Sequence, residues 1–170
     1  MYELIKLFFA ICIFKKAPQD IPYSAWLFKL TLFAYAFISF MIIYLSAGWW
    51  SALLQVMVGV GLTIFFCWII LKIFNKTARF YQVATALFGT DAMLNFFAVP
   101  ALSTVAAGHD TAFTDFFLLG LMIWHWLVSG FIFKNALSAS FFLGLGVAML
   151  YIVSSSMIMA NLFPQIINTG

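Results

Sequence analysis

The sequence predicts an all-α polytopic membrane protein, a five-transmembrane-helix up-and-down bundle preceded by an N-terminal interfacial helix. Three observations carry this. Only 8% of the 170 residues are charged, against about 25% in ordinary globular domains. Some 66% are hydrophobic, with 22 phenylalanines. The apolar residues fall into runs as long as a spanning helix needs, about 20 residues. Eight basic and five acidic side chains cannot coat a soluble protein of this size, which excludes a soluble enzyme.

The runs place spans at about 24–47, 51–74, 80–105, 113–133 and 136–162, joined by connections at 48–50, 75–79, 106–112 and 134–135. Connections this short leave successive helices antiparallel and adjacent. Residues 24–162 therefore form one transmembrane domain, with 1–23 before it and an external tail at 163–170. Before the spans, residues 2–14 combine Lys6 with the apolar run Leu7 to Phe14. Glu3 and the Lys15-Lys16 pair argue against a cleaved signal peptide, and no small-x-small cleavage site follows. This segment reads as a helix lying at or dipping into the cytoplasmic interface. Pro18 and Pro22 then predict an extended elbow, and Ser24 a cap for the first span.

Charge sets the orientation. Lys6, Lys15, Lys16, Lys29, Lys72, Lys76, Arg79 and Lys134 all fall on one side of the five-span arrangement, and the alternate connections carry no basic residue. Basic residues are retained in the cytoplasm, so the N-terminus is expected inside and the C-terminus outside. Tyr23, Trp26, Trp49 and Trp50 occupy interfacial belt positions, and Lys29 and Lys72 are placed to snorkel.

Few polar residues remain at depth. Asp91 lies near the middle of the third span within Gly89-Thr90-Asp91-Ala92-Met93-Leu94-Asn95, with Asn95 one turn onward and Pro100 beyond, where a kink is expected. A carboxylate at mid-bilayer costs several kcal/mol unless neutral, paired or hydrated, so this span should face the bundle interior. His125, between Trp124 and Trp126 in the fourth span, is the expected partner. Counted from the basic ends of the two spans, the levels of Asp91 and His125 differ by about 5 Å. Asp91, Asn95 and His125 form the candidate intramembrane polar site. The pair reads either as a hydrogen bond fixing helix register or as a proton-carrying or ligand-binding site.

Ala136, Ser140, Gly144 and Ala148 recur every four residues and read as a helix-packing face of the fifth span, with Gly59, Gly61 and Gly120 available to oppose it. Asp110 or Thr111 reads as the cap of the fourth span, with Asp115 in its first turn. His109, Asp110 and Asp115 lack a second histidine at helical spacing, so no metal site is expected. Cys12 and Cys67 have neither a CxxC partner nor a nearby histidine and read as buried fillers. Hydrolase, zincin, Walker and dinucleotide motifs are missing, so no catalytic residue and no cofactor is expected.

In topology and span length, residues 24–162 resemble the Yip family of small five-span membrane proteins. The resemblance includes the basic connection leading into Phe80-Tyr81-Gln82-Val83-Ala84-Thr85-Ala86-Leu87-Phe88-Gly89 and a third span ending near Pro100. The long soluble N-terminal region and the acidic-aromatic-glycine signature of the eukaryotic branch are missing, so the chain is more similar to the short bacterial members. That resemblance implies a multi-pass bacterial inner-membrane protein, non-enzymatic, acting through interactions with other membrane components. Its expected partners are the lipid bilayer and a second copy or another membrane protein, with no nucleic acid. The alternatives are a small transporter or channel subunit using the polar seam of spans three and four, or an accessory subunit of a larger complex.

Overall fold

The computed structural model describes residues 2–109 and 111–164. Six α-helices follow one another: α1 (Tyr2–Cys12), α2 (Ala25–Tyr44), α3 (Trp49–Ile73), α4 (Phe80–Ala106), α5 (Ala112–Leu137) and α6 (Phe141–Leu162). The last five are long and apolar enough to cross a membrane. The protein is thus an all-α polytopic bundle, and its apolar helices imply contact with lipid.

Sequence chemistry explains most of the helix starts. Ser24, Thr111 and Ser140 each accept a hydrogen bond from the backbone N–H three residues on, so α2, α5 and α6 begin on a hydroxyl cap. Thr111 therefore caps α5, with Asp115 in the first turn; Asp110 lies outside the described residues, as does the tail from 165 onward. Gly48, in extended conformation, starts α3 at Trp49, and because α2 ends at Tyr44 the first connection runs over 45–48 instead of 48–50. Pro100 sits inside α4, which continues to Ala106.

Three other boundaries differ from expectation. The connection predicted at 134–135 is helical: α5 runs on to Leu137, and the chain turns at Ser138, whose φ is 55°. Lys134 and Asn135 are polar but do not break a helix. The Asn135 side chain donates to the Phe131 carbonyl, and Lys134 lies over the Phe131 ring. Ala136 therefore belongs to α5, and Ser140 is the cap of α6, so the four-residue ladder is split between two helices. The elbow is not extended throughout either. Pro18–Asp20 forms a 3-10 turn because the Asp20 carboxylate accepts from the Ala17 N–H at 2.8 Å.

The largest difference is α1. Its Phe8 ring packs directly on Gly89, where a Cβ would collide with it. Gly89 lies nine residues, about 14 Å, into α4. Phe14, with φ of 61°, turns the chain, and its ring meets Trp124 and Phe131 at centroid distances of 5.9 and 5.2 Å. The helix thus enters the bundle beside the middle of α4 rather than lying along its surface. An apolar face of Phe8, Ile11 and Cys12, all buried, drives that seating.

Helix α4 is the axis of the molecule. Buried residues make up 61% of its apolar window, against 17–28% in the other four spans, and it contacts α1, α2, α3 and α5. Neighbours in sequence are not always the main neighbours in space: α2 packs more extensively on α4 than on α3. Rings explain this, since Phe28 meets Phe80, Tyr81 and Phe88, and Tyr35 meets Phe88.

Burial is lopsided along the helices. In α4 every residue from Val83 to Ala92 is buried, and none beyond Leu94. In α5, which runs the other way, the buried stretch is Val128 to Leu137. Along α4 and α5 packing is therefore closest in the half bearing the basic residues; at the other end Thr114 on α5 and Ala52, Gln55 and Val56 on α3 are also buried. Polar bonds fasten the packed end. Arg79 donates to the carbonyls of Asn135 and Ala136 and to the Ser138 hydroxyl, Gln19 donates to the Asn135 carbonyl, and Gln82 donates to the carbonyls of Gln19 and Ile21.

Candidate functional site

Asp91 is 11 residues from the start of α4, and His125 is 12 from the end of α5. The extension of α5 to Leu137 brings the two nearly level, closer than the sequence offset implied. His125 Nε2 stands 3.1 Å from Asp91 Oδ1. Both of these atoms are buried, and each has the other as its polar neighbour. The Asp91 side chain is 6% exposed and the His125 side chain 32%. The carboxylate is thus enclosed while the imidazole opens onto space.

That space is a cavity of about 280 Å³, lined by Asp91, Asn95 and His125 together with Tyr35 and Tyr151. Asn95, the third predicted member, does not touch Asp91 through a hydrogen bond; its side chain donates to the Ser39 hydroxyl at 3.3 Å. It lines the cavity one turn further along α4.

Tyr35 and Tyr151 were not singled out from the sequence. Both lie near the middle of their helices, α2 and α6, and not in the interfacial belts where tyrosine is usual. That misplacement was the readable signal. Thr63, at mid-length of α3, shares a 2.7 Å hydrogen bond with the Tyr151 hydroxyl. All five spans therefore contribute one polar side chain to a single central layer: Tyr35, Thr63, Asp91, His125 and Tyr151.

On the packed side this layer is closed. Leu71, Leu87, Phe88, Ile132 and Phe133 are all at most 1% exposed. Ser129, one turn from His125, is fully buried with no partner for its hydroxyl. On the looser side a second cavity of about 300 Å³ shares Tyr35, Asn95 and Tyr151 with the first and adds Ser39, Gln55, Ser155 and Ser156 to its lining.

The predicted packing face resolves into a helix crossing. Gly144 and Ala148 are buried on α6, and a Cβ at Gly144 would fall within the van der Waals radius of the Gly130 carbonyl on α5. Trp126 donates to the Leu145 carbonyl at the same crossing. Gly130 was not anticipated as the opposing surface. Around Gly61 and Gly120 nothing lies within 4 Å, and Gly59 has only the Tyr35 hydroxyl at 3.8 Å. Cys12 and Cys67 are free and buried. Among the described residues no group of three histidine, cysteine, aspartate or glutamate side chains converges as a metal site would require.

A carboxylate and an imidazole within 3.1 Å can share or exchange one proton, and the cavity beside them has room for water or a small polar solute. Comparison with family models, with curated proteins and with solved structures finds no match to this chain.

Proposed function

We propose that this is a non-enzymatic membrane protein that handles protons at Asp91 and His125, as a small transporter or channel subunit. The observation that carries this reading is the open face of the pair: an enclosed carboxylate and a partly exposed imidazole border a cavity instead of packed apolar side chains. A pair serving only to fix helix register needs no cavity beside it, which this one has. A metal cation fits less well. The imidazole already occupies one carboxylate oxygen, and the Tyr151 hydroxyl is engaged by Thr63.

The location that goes with this reading is the bacterial inner membrane, with the basic end in the cytoplasm and the C-terminus outside. A Yip-like scaffold acting through membrane partners has weaker support, because Gly144 and Ala148, the residues offered for docking, are buried within the chain itself.

The test is proton flux in reconstituted vesicles under an imposed potential, read with an internal pH dye. The native chain should carry protons above the level of empty vesicles, and Asp91→Asn should abolish the excess while leaving assembly intact. Equal flux in native and Asp91→Asn vesicles, or none in the native protein, would overturn the reading.

A further inference from the structure

We infer that the two cavities form a single aqueous vestibule, which connects the Asp91–His125 pair to the membrane face opposite the basic residues and to that face only. The inference rests on the proton-handling reading and adds the side from which protons arrive.

Four observations converge. The cavities share Tyr35, Asn95 and Tyr151, so they adjoin each other. Beyond those three the lining gains hydroxyls and an amide, Ser39, Gln55, Ser155 and Ser156, in helices made mostly of apolar residues. Asn95 bridges the seam by donating to Ser39, and Gln55 donates to Ser51 in the first turn of α3, so polar groups continue to the loose end. Burial stops at Leu94 on α4 and does not resume, whereas Leu87, Phe88, Ile132 and Phe133 close the other direction.

The physical reason for water is satisfaction. Asp91 and His125 both line the cavity and, apart from each other at 3.1 Å, have no hydrogen-bonding partner among the described residues. A polar cavity of this size holds water when several polar groups line it. The packed half below is filled by Leu71, Leu87, Phe88, Ile132 and Phe133, all at most 1% exposed. Protons reaching the carboxylate therefore come from the loose end, and passage onward to the basic end requires this packed half to part near Ser129, the next buried hydroxyl along α5.

The test is one-sided thiol labelling in sealed vesicles with a charged, membrane-impermeant methanethiosulfonate. Ser39→Cys and Ser155→Cys report on the vestibule, and the native Cys67, buried toward the basic end of α3, is the closed-half control. Ser46→Cys and Thr77→Cys, at exposed positions, mark the two faces. Ser39→Cys and Ser155→Cys should react from the Ser46 face about tenfold or more faster than the native Cys67, and not from the Thr77 face. The reaction at Ser39→Cys should also block proton flux. Failure of both positions to react, or reaction from the Thr77 face, overturns the vestibule. The two failures are separable: unreactive positions with flux still lost in Asp91→Asn end the vestibule alone. Reactive positions with flux indifferent to Asp91→Asn end the proton reading and leave the vestibule standing.

Discussion

Asp91 concentrates the energetic tension of this chain at the residue scale. Its side chain is 6% exposed in the middle of a mostly apolar helix. The compensation is a single imidazole at 3.1 Å and the neighbouring cavity. Asp91→Asn keeps size and hydrogen-bonding groups, so its stability cost should stay below about 2 kcal/mol, the upper range for interhelical polar contacts in membranes. Asp91→Leu should cost more, because it leaves His125 facing an aliphatic group. Thermal unfolding in detergent measures both; a large loss in Asp91→Asn would mark the pair as structural. Asp91, Asn95 and His125 were legible in the sequence because polar side chains at depth are rare and expensive. Tyr35 and Tyr151 left a weaker signal in their mid-span placement, and Thr63 left none, since threonine is tolerated inside spans and only the common level of the three reveals a layer. Nor could Asn95 be assigned its bond to Ser39, which depends on how α2 is rotated against α4.

The element scale is governed by two glycines that remove side chains where helices meet. At the α5–α6 crossing the Gly130 carbonyl and the Lys134 backbone press on the position a Gly144 Cβ would take. Gly144→Ala should therefore destabilise the bundle by about 1–3 kcal/mol, the usual range for overpacking, and Gly144→Leu by more. Gly61→Ala and Gly120→Ala, with nothing within 4 Å, should be neutral or slightly stabilising through helix propensity. Melting midpoints of the variants decide the matter, and equal midpoints for Gly144→Ala and Gly120→Ala would make the crossing incidental. Gly89 plays the same part for α1, whose Phe8 ring fills the missing side chain; Gly89→Leu should expel α1 and expose it to protease. The spans were readable because hydropathy has a length scale set by the bilayer. The junction near 134–138 was not, because Ser138 turns the chain in a conformation that serine seldom adopts and no proline or glycine marks. The insertion of α1 was equally hidden, as an apolar run of that length suits an interface as well as a protein groove.

At the scale of the whole molecule, packing and charge divide along the same line. Every connection that bears basic residues lies at the close-packed end, where Arg79, Gln19 and Gln82 tie the elbow, α4 and α5 together. Charge dictates which way such a chain inserts, because lysine and arginine near short loops resist translocation. In the orientation proposed above, the loose end with its two adjoining cavities would open outward, where an imposed proton gradient would deliver protons to Asp91. Topology therefore predicts function as well as orientation, and it is open to direct measurement. Reporter fusions after Lys16, Lys76 and Ala139 should read cytoplasmic, and those after Ala47 and His109 external; Ala139 replaces the earlier-expected junction because Lys134 lies inside α5. Adding three lysines after Ala47 should weaken or invert the insertion, since it removes the asymmetry that sets it. A cytoplasmic reading at His109 would reverse the molecule, turn the vestibule toward the cytoplasm, and require that protons enter from there.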